Sequence, residues 1–128
     1  MRQDIYDGTE TSKAYARAVR FGNQVHVSGT TSGSADGGVV GDDLYSQSKE
    51  TYRKIADVLA KAGASMADVV RIVAYVTDIG RPEAWVRATE EAFEASEFRP
   101  AATLVEVTAL YKPEMLVEIE AYALLPES

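Results

Sequence analysis

The chain has 128 residues, 46% of them hydrophobic and 26% charged, which fits one globular domain and not a disordered chain. Its formal net charge of −7, with scattered Lys and Arg, argues against a general nucleic-acid binder, whose affinity rests on clustered cations. With no cysteine and a single His, disulfides, thiolate metal sites and a Cys nucleophile are excluded, and a metal site built on imidazoles is disfavoured.

In chain order, residues 1–12 read as a polar start with a turn at Asp7-Gly8. No apolar leader opens the chain and no run approaches membrane-spanning length, so the expectation is a cytoplasmic protein without a membrane partner. Tyr15–Arg20 alternates weakly, Gly22-Asn23 is hairpin punctuation, and Gln24–Thr30 alternates with Val25 and Val27 on one face and His26 and Ser28 on the other. A β-hairpin is predicted. Gly29–Gly41 is rich in Gly, Ser, Thr and Asp, but lacks both the Walker spacing and the dinucleotide fingerprint, and reads as a surface loop.

Asp42 or Asp43 can cap a helix whose buried stripe is Leu44, Ser48, Thr51, Ile55, Val58, Leu59 and Ala62, with Gly63 ending it at C′. Val69–Thr77 is apolar on both parities and reads as a central strand. Pro82 opens a second helix running to about Ala95, with Trp85, Val86, Thr89 and Phe93 inward. Phe98-Arg99-Pro100 breaks it. Strands at Ala102–Val107 and Leu116–Leu124 close the chain, giving the order β-β-α-β-α-β-β. Two helices leave one sheet face uncovered, and its mixture of Leu, Tyr and Glu suggests a subunit interface.

Three arrangements could carry chemistry. His26 and Ser28 share a strand face, but no nucleophile elbow or orienting acid accompanies them. Glu118 and Glu120 lie roughly 7 Å apart along one face of the last strand. One of them, partly buried and with a raised pKa, could move a proton or hold a water. Arg87 and Arg99 are the cations expected near the strand ends, where either could take a substrate carboxylate.

The whole chain resembles the RidA/YjgF family. The resemblance is carried by Gly22-Asn23 with Val27-Ser28-Gly29, Gln47, Ala62-Gly63-Ala64-Ser65 with Asp68-Val69-Val70, and Val76-Thr77-Asp78. It continues through Arg99-Pro100-Ala101, Val105-Glu106-Val107, Leu110 and Val117-Glu118-Ile119-Glu120-Ala121. What it implies is an α+β, chorismate-mutase-like single domain, a mixed sheet packed on two helices, assembled as a homotrimer around a central barrel with ligand clefts between subunits. Characterised members hydrolyse reactive imines and enamines to keto compounds and ammonia, without metal or cofactor. On that likeness Glu118 matches the Glu that positions the attacking water. Tyr15, Ser28 and Gly29 match residues lining the cleft. The family's carboxylate-binding Arg, in a Pro-x-Arg-Ser/Thr motif, is absent: Ala102 stands there. Arg87, where the family often has Asn, is the first candidate for a relocated clamp and Arg99 the second; otherwise Ala102 opens the cleft to a different small molecule. The alternative is a non-catalytic trimer that binds a metabolite or a protein. An endoribonuclease role, attached to some relatives, fits poorly with the net charge.

Overall fold

The computed structural model of the chain describes residues 1–126. Its strands are β1 (Arg2–Ile5), β2 (Ala18–Phe21), β3 (Gln24–Thr30), β4 (Val69–Val76), β5 (Ala101–Glu106) and β6 (Val117–Leu124). The helices are α1 (Leu44–Lys61) and α2 (Glu83–Ala92), with one 3₁₀ turn at Met66–Asp68. They form a mixed sheet backed by two helices, the architecture that the resemblance implies.

The spatial strand order is β1-β2-β3-β6-β4-β5, antiparallel throughout except for the parallel pair β4/β5. A parallel pair needs a crossover, and α2 supplies it. In the same way α1 joins β3 to β4, which flank β6. The last strand therefore lies inside the sheet, with alternating Val117, Ile119, Ala121 and Ala123 buried under the helices. From α1, Ile55, Val58 and Leu59 pack into this layer, and α2 adds Trp85 and Ala88, followed by Phe93 at its C-cap.

Local chemistry fixes the helix ends. Asp43 accepts a hydrogen bond from the Ser46 amide at 2.7 Å, so it is the N-cap. At the other end Gly63, at φ +82°, takes the left-handed position that lets Ala64 N–H reach Leu59 O and Gly63 N–H reach Ala60 O. Gln47, 1% exposed, ties α1 to the sheet: its amide donates to Gly41 O and Glu114 O, and its Oε1 accepts from Leu116 N–H.

Three details depart from the sequence reading. An additional strand, β1, pairs with β2; its exposed–exposed–exposed–buried pattern explains why no alternation announced it. β2 begins at Ala18, leaving Tyr15 before it. On α2, Val86 faces solvent and Ala88 takes the inward place, because the contact line runs through Trp85, Ala88 and Phe93.

β3 is also not a plain alternating strand. Val27 pairs with Ala121 and Thr30 with Ile119, so three steps on β3 oppose two on β6. This bulge at Ser28-Gly29 flips the parity, and Thr30 rather than Gly29 continues the buried face after Val25 and Val27.

Candidate functional site

The bulge opens a cleft of about 390 Å³, walled by Tyr15, Arg17, Ser28, Gly29, Thr31, Lys54, Glu118, the Gly33–Gly38 loop and the Tyr111–Met115 segment. Gly29 and Glu118 meet at its floor. A Cβ placed on Gly29 would lie 2.2 Å from Glu118 Oε2 and 2.9 Å from its carboxyl carbon. Only a glycine leaves the carboxylate its place. The backbone of Gly29 is not in the left-handed region, so the requirement is steric.

The two strand carboxylates have different surroundings. Glu120 accepts from Tyr75 Oη at 3.1 Å and from Tyr122 Oη at 2.9 Å. Glu118 is half-buried, and burial pushes its carboxyl above the usual glutamate range; Arg17 opposes that shift and Glu120 adds to it. A desolvated carboxylate lining a cleft can take or return a proton, whereas one fixed by two phenols is held in place.

Arg17 is 4% exposed. Its Nη2 donates to Gly29 O at 2.8 Å, its Nη1 lies 3.5 Å from Thr30 Oγ1, and its guanidinium carbon is 5.4 Å from the Tyr15 ring centre. Lys54, from α1, is 5% exposed and donates to Thr31 O and Gly33 O, fixing the start of the loop. Burial, with the charge of Arg17, lowers its pKa. Lys112 donates to Gly37 O across the cleft mouth. The Gly-rich loop is thus a wall of the cleft.

Of the residues singled out from the sequence, Tyr15, Ser28, Gly29 and Glu118 converge on this cleft. Tyr15 Oη accepts from Thr11 N–H at 3.0 Å. Ser28 Oγ donates to Ala16 O at 2.7 Å while His26 Nε2 lies 3.1 Å from Gln24 Oε1, so no Ser–His pair forms. Arg87 is not among the walls: it lies on α2 with its guanidinium 4.0 Å from the Tyr45 ring centre. Arg99 Nη1 donates to Phe93 O, Ser96 O and Phe98 O, closing the turn after α2. Ala102 is exposed on the edge strand β5, in register with Ile72, and does not line the cleft of its own chain.

Sequence reasoning missed Arg17 and Lys54. Both left a signal: Arg17 is two residues from Tyr15, and Lys54 falls at helical spacing from Thr51 and Val58, a charge on the buried stripe. Among the described residues, no group of three or more His, Asp or Glu forms a candidate metal-ligand set, and no helix is long and apolar enough to cross a membrane.

An α+β sheet with a cleft at a β-bulge, floored by one glutamate, defines a small-molecule-sized site. Comparison with known proteins gives the family. Residues 7–125 match the family described as Endoribonuclease L-PSP. A structure of a YjgF/YER057c/UK114 family member from Mycobacterium tuberculosis superposes with a TM-score of 0.86 at 43% identity, covering 98% of this chain and 100% of that one. A 2-iminobutanoate/2-iminopropanoate deaminase of Salmonella typhimurium is 32% identical over 111 residues, 85% of each chain. A RutC family protein from Pyrococcus abyssi is 34% identical over 110 residues, 85% of this chain and 84% of its own. The chain belongs to the RidA/YjgF family.

Proposed function

We propose that the chain is a cofactor-independent hydrolase of a small imine or enamine, with Glu118 handling the water. The reading is carried by one observation: a half-buried carboxylate, its pKa raised by burial, is held over Gly29, inside a cleft large enough for a small metabolite. In the reaction, a water oxygen bonds to the imine carbon while Glu118 takes a proton from that water. The proton then passes to nitrogen, giving a carbinolamine. Glu118 next takes the hydroxyl proton and delivers it to nitrogen as the C=O bond forms and the C–N bond breaks, and ammonia leaves a carbonyl product. Glu118 returns each proton it takes, so no redox partner is needed.

The setting proposed with it is a cytoplasmic homotrimer. Val73, Tyr75, Glu120 and Tyr122 are partly exposed on the sheet face opposite the helices, and Leu124 is 46% exposed. Such a face suits burial against further copies. In an assembly, Ala102 at the β5 edge would meet the cleft of a neighbouring subunit.

The test is the decay of 2-iminobutanoate generated in solution by an amino-acid oxidase. The wild-type protein should accelerate it and Glu118→Gln should return it to background. Equal rates for the two would remove Glu118 from the chemistry.

A second reading rests on Ala102, a methyl group where the family places its guanidinium. It is a trimer that binds a metabolite or a protein without turning it over, and it predicts ligand-dependent thermal stabilisation with no imine accelerated.

A further inference from the structure

Three cations, Arg17, Lys54 and Lys112, line a cleft whose one carboxylate is Glu118, in a chain of net charge −7. Positive charge has been gathered where the rest of the surface is acidic. Such a site suits an anionic ligand.

The three are not equivalent. Lys54 holds two backbone carbonyls and Lys112 holds Gly37 O, so both ammonium groups are engaged in building walls. Arg17 is nine-tenths buried, and among the described residues it forms no ion pair. Its Nε–H has no partner. A guanidinium carries five N–H donors, and the chain engages Arg17 through Gly29 O and, weakly, Thr30 Oγ1. The Tyr15 ring lies against its guanidinium, and Glu118 and Asp7 act on it only from beyond ion-pair distance. No anion of the described residues therefore touches this buried cation, and a ligand anion would complete it.

We propose that Arg17 is the anion anchor of the cleft, taking a ligand carboxylate in place of the guanidinium absent at position 102. The inference rests on the reading of this cleft as the ligand site. Arg17 grips the carbonyl of Gly29 while Glu118 lies over the Cα of the same residue. A carboxylate on Arg17 therefore leaves its neighbouring carbon beside Glu118. The ligand class is a small acid whose electrophilic carbon adjoins the carboxylate, and a neutral analogue of equal shape should be rejected.

Calorimetric titration of the purified protein with 2-oxobutanoate and with its uncharged amide, 2-oxobutanamide, tests this. The wild type should bind the acid at least about tenfold more tightly than the amide, the scale of one charge-assisted contact. Arg17→Gln should erase the difference; Arg17→Lys should keep part of it, since charge survives and the planar fork does not. Circular dichroism and light scattering report whether each variant folds and assembles. Should Arg17→Gln fail to fold, the acid–amide ratio in the wild type and in Arg17→Lys decides. Equal binding of acid and amide by the wild type, or binding of neither, overturns the proposal. So does an acid preference that persists in Arg17→Gln, which would move the anchor to a lysine. A clear acid preference without imine turnover would refute the hydrolase reading and leave the anchor standing. Equal turnover of charged and neutral imines would do the reverse.

Discussion

Gly29 and Glu118 compete for the same space, since a single methyl group on Gly29 would sit 2.2 Å from Glu118 Oε2. The atom in the way is the far end of a flexible side chain, so the carboxylate can swing aside. What it loses is position. The bulge in β3 and the buried alternation of β6 bring these two residues together from opposite strands.

Gly29→Ala should therefore separate site geometry from stability. Urea unfolding should show a loss of about 1 kcal/mol or less, the low end of overpacking. Imine hydrolysis should fall by about 10²-fold, as expected when a reacting group is displaced by an ångström. A large loss of stability with intact rate would contradict the displacement.

The raised pKa of Glu118 has a stability consequence. In the folded chain the proton is held more tightly than in the unfolded chain. At pH below the ordinary glutamate value both states are protonated and no penalty applies. As pH rises through the folded pKa the carboxylate must ionise in a half-buried site, and the native state loses stability. Glu118→Gln should thus melt at a higher temperature than wild type at pH 7, with the gap closing toward pH 4. Melting curves across that range test the sign, and a gap that widens in acid would reverse it.

Gln47→Ala should destabilise the fold by about 2–4 kcal/mol, because it leaves Glu114 O and Leu116 N–H without their side-chain partner and opens a cavity. Denaturant midpoints at two pH values should give the same loss, since amide hydrogen bonds do not titrate.

Light scattering should return three chain masses under conditions where the cleft binds ligand. A monodisperse monomer would leave the mixed apolar and acidic sheet face without the cover proposed for it.

Much of this architecture was legible because it follows periodicity. Ile55, Val58 and Leu59 repeat at helical spacing and do pack inward; Val25 and Val27 alternate and are buried. Gly63 ends α1 as its position predicts. The family resemblance brought Glu118, Tyr15, Ser28 and Gly29 to one place. What stayed hidden depends on pairing partners rather than on local pattern. β1 contributes only Ile5 to the core, so Arg2–Asp4 carry no hydrophobic signature. The bulge at Ser28-Gly29 cannot be seen in β3 alone, since it exists only relative to β6. The burial of Arg17 likewise comes from β3, whose Gly29 O and Thr30 Oγ1 it reaches, and not from its own neighbours in the chain.

α1 reaches the sheet through Gln47 and the cleft wall through Lys54, two turns further along one rigid rod. The core and the inner wall are consequently a single mechanical piece. The Gly33–Gly38 loop tip and the Tyr111–Lys112 turn, by contrast, meet through Lys112 and Gly37 at the rim. Those rim segments form a replaceable collar. Ligand range can drift there, in nature or by loop grafting, while the jig beneath that aligns Arg17, Gly29 and Glu118 is left untouched.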